Sequence, residues 1–300
     1  MLEEIARLKK EKNIKIFAHN YQNHEVQQVA DYIGDSFYLS KLSKEVDCET
    51  IIFCGVKFMA ETTKILSPDK KVILPVEEAL CPMAHMISPE DIIEFKKTHP
   101  DFKIVAYINT TTDIKACVDV CVTSSTAVKI IDSLEEKNIL FVPDMNLGNY
   151  ISKKIKDKNI ISWNGYCNVH DRVTKEEVIN MKNKYPDAPI LVHPECRKEV
   201  VDLADFVGST SEIIEYAKSI DKKRIIIGTE TGVLHVLRDL NPDKKFDLLS
   251  PNLICINMKK TTLEDVYNAV TGKGGLNIEI EENLRVKALN SIKEMIRLAK

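Results

Sequence analysis

Short apolar runs alternate with amphipathic stretches along most of this chain. In the first hundred residues the runs fall at 14–18, 50–54 and 72–76. They are too short for helices and rich in Ile, Val and Phe, which predicts strands. Near 36–46, 57–66 and 88–98 apolar residues recur at helical spacing instead. A shorter run at Tyr32-Ile33 predicts a fourth strand. Matching runs follow at 103–108, 139–142 and 159–162, and again at 190–192, 224–227 and 253–256. Such alternation predicts βα units whose parallel sheets are covered by helices. The opening MLEEIARLKKEKN reads as a helix. So does 282–300, with Leu284, Ala288, Ile292, Met295 and Ile296 on one face.

The pattern is a threefold repeat. IKIFAHNYQ…VADYIGDS (14–36), FKIVAYINT…CVDVCVTSS (ending at Ser125) and APILVHPEC…LADFVGST (ending at Thr210) align. His19, Tyr107 and His193 are 88 and 86 residues apart, as are Ser36, Ser124 and Thr210. Ser88–Asp91, Thr174–Glu177 and Thr262–Asp265 are helix starts with an acid three residues on. Thr174 with Glu177 reads as a full capping box and the two Asp-ended copies as looser variants. The repeat predicts three α/β units at 13–100, 101–186 and 187–272 packed around a pseudo-threefold axis, with an N-terminal helix (1–12) and a C-terminal helix (282–300) on the core.

Composition narrows the function. With 42 Lys+Arg against 45 Asp+Glu the net charge is −3, no electrostatic footprint for nucleic acid. No apolar run approaches the ~18 residues of a membrane span, and the start lacks the apolar core of a signal peptide. A soluble, cytoplasmic protein is expected. Of the eight cysteines, Cys81, Cys167 and Cys255 are 86 and 88 apart, each seven residues before its capped helix. Cys48, Cys54, Cys117, Cys121 and Cys196 have no phase partner and read as packing.

Three thiolates from three units can hold zinc, with His85 or His170 as a fourth ligand. They can equally hold a 4Fe–4S cluster, leaving one iron open as a Lewis acid. A zinc-dependent lyase or hydrolase and a non-catalytic iron–sulfur sensor therefore stand as alternatives, although a sensor needs an output surface and none is visible. Ser36, Ser124 and Thr210 lie where helices open, which suits an anion. His19, Tyr107 and His193 follow the first strand of each unit, the edge where ligands of open α/β sheets bind. Two positions on, Tyr21, Asn109 and Glu195 share one phase and supply acid, base and hydrogen-bonding groups. Thr271-Gly-Lys-Gly-Gly275 lacks the spacing of a phosphate loop.

The motifs AHNYQNHEVQQVADYIGDS (18–36), GVKFMAET (55–62), CPMA (81–84), YINT (107–110), PDMNLGNY (143–150), GYCNVH (165–170), HPEC (193–196), VGST (207–210), GTETGVLH (228–235) and CINMKKTTLED (255–265) resemble the quinolinate synthase family over residues 14–270. His24 departs from the proline many relatives carry there. The resemblance implies three homologous three-layer α/β/α domains around a pseudo-threefold axis, and a 4Fe–4S cluster on Cys81, Cys167 and Cys255. It implies condensation of iminoaspartate with dihydroxyacetone phosphate to quinolinate, phosphate and water in NAD biosynthesis. It also implies substrate contacts from His19, Ser36, Tyr107, Asn109, Ser124, His193, Glu195 and Thr210. Tyr21, His193 and Glu195 then move protons. The expected partners are these small molecules, with no nucleic acid and no membrane, and a transient contact with the enzyme that makes iminoaspartate.

Overall fold

The computed structural model describes residues 1–300. Three parallel sheets are built alike. The first holds β1 (Ile14–His19), β2 (Tyr32–Gly34), β3 (Thr50–Cys54) and β4 (Lys71–Leu74), ordered β4-β3-β1-β2. The second holds β5 (Lys103–Tyr107), β6 (Val120–Val122), β7 (Asn138–Val142) and β8 (Asn159–Ser162), ordered β6-β5-β7-β8. The third holds β9 (Ile190–Val192), β10 (Phe206–Val207), β11 (Arg224–Gly228) and β12 (Lys245–Leu248), ordered β10-β9-β11-β12. In each, the first strand lies between the second and the third. A short β13 (Leu276–Asn277) adds antiparallel to β4.

Both faces of the sheets are buried, so their residues split by alternation. Ile16, Ala18 and Ile52 join one apolar cluster while Phe17, Ile51 and Phe53 join another. In the third sheet Ile190, Val192 and Ile226 face one cluster and Leu191, Ile225 and Ile227 the other. Helices cover each side, which makes three three-layer α/β/α units.

A side-chain clamp repeats with the fold. Asp31, Asp119 and Asp205 precede the second strand of each unit and accept the backbone N–H of Ile16, Ile104 and Ile190 at 2.7, 2.7 and 2.9 Å. Each aspartate also pairs with a lysine on the helix ahead of its sheet: Lys9 at 3.0 Å, Lys96 at 3.6 Å and Lys182 at 3.6 Å. The helix Leu2–Glu11 therefore stands to the first sheet as Pro89–Thr98 and Lys175–Lys184 stand to the second and third. The helix Leu263–Thr271 packs on Leu2–Glu11 and β3, and Glu282–Leu298 packs on the helix Thr112–Cys117 and β6.

Two expectations need correction. The run 253–256 is not a strand: Leu253, Ile254 and Cys255 lie in a loop and Ile256 opens the short helix Ile256–Lys259, with Leu253 wholly buried while Ile254 and Ile256 stay exposed. The third unit's last strand is β12, whose mixed sequence KFDL suits a sheet edge. The capping boxes at Ser88 and Thr262 are complete, like that at Thr174, because an aspartate at the third helical position reaches the N-cap N–H as a glutamate does. A fourth closes at Ser209 with Glu212.

Candidate active site

The carboxyl ends of β1, β5 and β9 open onto one cavity. His19 ends β1 and Tyr107 ends β5, while His193 follows β9 directly, because equal strand registers leave each at the sheet's edge. The cavity wall gathers all twelve residues singled out by phase: these three, Tyr21, Asn109 and Glu195, Ser36, Ser124 and Thr210, and Cys81, Cys167 and Cys255. Ser36 and Thr210 are the first residues of their helices. Ser124 instead lies in a turn ahead of the helix Ala127–Ser133, because Thr126 folds back to accept the Thr123 N–H at 2.9 Å. His85 is exposed in an outer cleft, and Cys196 is buried beneath a different groove, so neither reaches the cavity.

Burial sets the protonation states. His19 is pushed down to about 3 by burial, reinforced by Lys259 and His193. Its Nδ1 accepts the Tyr21 N–H at 3.2 Å, so the neutral ring carries its proton on Nε2. Burial alone would raise the Glu195 carboxyl, but His193 and His170 outweigh it and hold the group below its usual range. Glu195 Oε2 accepts from His170 Nδ1 at 2.8 Å and faces His193 Nδ1 at 3.2 Å. Burial, followed by Glu195, raises the Tyr21 and Tyr107 phenols and keeps them protonated.

These groups form a continuous wire. With His170 Nδ1 donating to Glu195, its Nε2 accepts from the Thr229 hydroxyl at 3.0 Å. Thr229 then accepts from Tyr21 Oη at 2.8 Å, and Tyr21 accepts from Thr210 at 2.7 Å. One direction of proton donation satisfies every member. Two buried atoms in the cavity wall have no partner: Glu195 Oε1 and Asn109 Oδ1. Unsatisfied acceptors of this kind fit a ligand bearing N–H or O–H groups.

The three phased cysteines are free thiols of the same wall. Burial pushes Cys81 up to about 12 and raises Cys167 and Cys255. Neutral soft donors lining one cavity suit a thiophilic metal, whose binding would displace their protons. One closer group exists: ligand atoms of Cys167, His170 and Glu195 lie within 4.8 Å of one another. Phase reasoning passed over Thr229, Asp144 and Glu230, although the last two are 86 residues apart and lie in quoted motifs.

The family model for Quinolinate synthetase A protein matches residues 3–297. Quinolinate synthase of Clostridium perfringens (strain 13 / Type A) is 51% identical over 296 residues, covering 99% of this chain and 98% of the relative. That of Alkaliphilus metalliredigens is 50% identical over 298 residues, with 99% and 98% covered. That of Clostridioides difficile is 48% identical over 296 residues, with 99% and 97% covered. The matched span, residues 3–297, takes in all three units and the positions that line the shared cavity. The chain belongs to the Quinolinate synthetase A family.

Proposed function

We propose that this enzyme condenses iminoaspartate with dihydroxyacetone phosphate to give quinolinate, one phosphate and two waters. The observation that carries the reading is the gathering of matching side chains from three units at one cavity, in a chain whose relatives are quinolinate synthases. Cys81, Cys167 and Cys255 would hold a 4Fe–4S cluster. When bound, it supplies a Lewis-acidic iron for a substrate oxygen.

The chain's own residues do the rest. The helix starts at Ser36 and Thr210, with the Ser124 turn, present N–H and hydroxyl groups to the carboxylates and phosphate. His19 Nε2 donates without adding charge. Asn109 Oδ1 accepts from the substrate, and Tyr107 shapes the wall beside it. Glu195 Oε1, free and ionised, takes a proton during tautomerisation. Tyr21 donates one to a departing hydroxyl and is reprotonated when the wire reverses, the proton taken up by Glu195 returning through His170 and Thr229. His193 holds the Glu195 carboxylate between two imidazoles.

Anaerobic incubation of the reconstituted protein with both substrates, followed by chromatography for quinolinate, tests the reading; absence of product overturns it. The Cys167–His170–Glu195 group favours a second reading, a single zinc-like ion in a hydrolase or lyase. Metal and sulfide analysis separates the two, because a cluster requires iron and acid-labile sulfide in equal amounts. No helix is long and apolar enough to cross a membrane. Together with eight unpaired cysteines, this supports a reducing, cytoplasmic setting.

A further inference from the structure

Asp144 and Glu230 occupy one repeat phase and do one job. Asp144 Oδ2 accepts the backbone N–H of Cys167 at 3.1 Å, and Glu230 Oε1 accepts that of Cys255 at 3.1 Å. Both carboxylates are fully buried. The first unit has Val56 in this phase, and the Cys81 N–H has no such acceptor.

The two anchors are fastened differently. Asp144 spends its other oxygen on the Leu147 N–H at 2.8 Å, capping its own helix. Glu230 accepts the Gly232 N–H at 2.7 Å and the Lys259 ammonium at 3.2 Å. Lys259 also donates to the backbone carbonyl of Tyr21 at 2.5 Å. Around it, Gln22 donates to Met258 O at 2.8 Å, and Asn23 donates to Lys259 O at 3.1 Å and Thr261 O at 3.0 Å. The loop bearing the first unit's proton donor is thus stitched to the loop bearing the third unit's cysteine.

We propose that Glu230 and Lys259 are positioning residues that hold the Cys255 thiol and the Tyr21 phenol as one mechanical piece. The geometry points to one shared hub: a carboxylate on the Cys255 N–H, an ammonium on the Tyr21 carbonyl, and an ion pair joining them. A charge-assisted bond of this kind is stiffer than the neutral contacts around it. A shift of either loop therefore moves the other. The proposal rests on the reading of Cys255 as a ligand and Tyr21 as a proton donor only for its catalytic consequence. The linkage itself belongs to the metal-free chain.

Site-resolved alkylation of the full metal-free chain with iodoacetamide, read by peptide mass spectrometry, tests the linkage. Lys259→Met is expected to speed modification of Cys255 at least about fivefold relative to Cys167, whose anchor does not involve Lys259. Lys259→Arg should recover most of the protection. No acceleration at Cys255, or equal acceleration at both cysteines, overturns the proposal. Should Lys259→Met fail to fold, Glu230→Gln keeps an acceptor near Cys255 but loses the ion pair, and the same comparison applies. In the loaded enzyme, Lys259→Met should lower kcat at little-changed KM and cost far less in a Tyr21→Phe background; full additivity would sever the link to Tyr21. If alkylation responds as expected while the wild-type chain retains neither iron nor sulfide, the ligand reading fails and the linkage stands.

Discussion

Glu195 keeps a charge that its burial opposes, and two imidazoles make that charge tolerable. Glu195→Gln should leave metal content unchanged while turnover falls by about 10²-fold or more, the usual scale for a lost general base; wild-type kcat in that variant would remove its role. Cys81, Cys167 and Cys255, replaced singly by Ala, should each abolish the iron–sulfur absorbance near ~400 nm together with activity, whereas Cys196→Ala should preserve both. His19 gives a pH signature. Its folded value of about 3 lies below the ordinary 6.5, so on acidification the unfolded chain takes up this proton first. The stability it allows is complete above 6.5 and drains away as pH falls from there towards about 3. Urea midpoints for wild type and His19→Gln between about pH 7 and pH 5 should therefore converge on a shallower slope in the variant by one proton. Gly232 is a different kind of constraint. A methyl group there would lie 2.6 Å from the Tyr21 carbonyl carbon and 2.8 Å from Lys259 Nζ. Backbone cannot yield as a side chain does, so Gly232→Ala should depress kcat although the residue carries no chemistry.

At the scale of elements, the clamp from Asp31, Asp119 and Asp205 sets the entry to each sheet. Asp205→Ala would leave the Ile190 N–H buried without a partner, a loss of ~1–3 kcal/mol measurable by chemical denaturation. The strands β1, β3, β5, β7, β9 and β11 could be read directly, because strands buried on both faces are near-continuous apolar runs. Edge strands could be read only in part: Tyr32-Ile33 and 159–162 mark β2 and β8, whereas β6, β10 and β12 do not stand out. β12 spells KFDL, and its apolar content does not stand out from a loop, while the truly apolar stretch 253–256 is a loop running into the helix Ile256–Lys259, with Leu253 plugging the core beneath the Cys255 turn. The helix His24–Val29 also escaped notice, since Gln27 is buried there for hydrogen bonds to Asn20 O and Gln22 O rather than for apolar contact. In the site, phase identified polar and thiol groups that recur at one repeat position, whether or not they are of one kind. Thr229 and His170 went unassigned in the wire because nothing matching them recurs at that spacing; their role exists only through contacts made across units.

The whole molecule joins three units whose cysteines share no sheet. A metal held by all three would staple them, so loading should raise the melting temperature and chelation should lower it. Each single cysteine variant should melt like the metal-free chain, and an unchanged melting curve on loading would argue against a shared centre. The late segments make other cross-connections. Strand β13 borders β4 of the first sheet, and Ser291 in the helix Glu282–Leu298 donates to Lys115 O at 2.7 Å and accepts from Cys121 Sγ at 3.3 Å in the second unit. During translation, the first two units leave the ribosome with flanks that water still reaches. They stay so until residues 276–298 have emerged, so a nascent chain stalled before residue 276 presents Ile114 and Cys121 to chaperones rather than to their own cover.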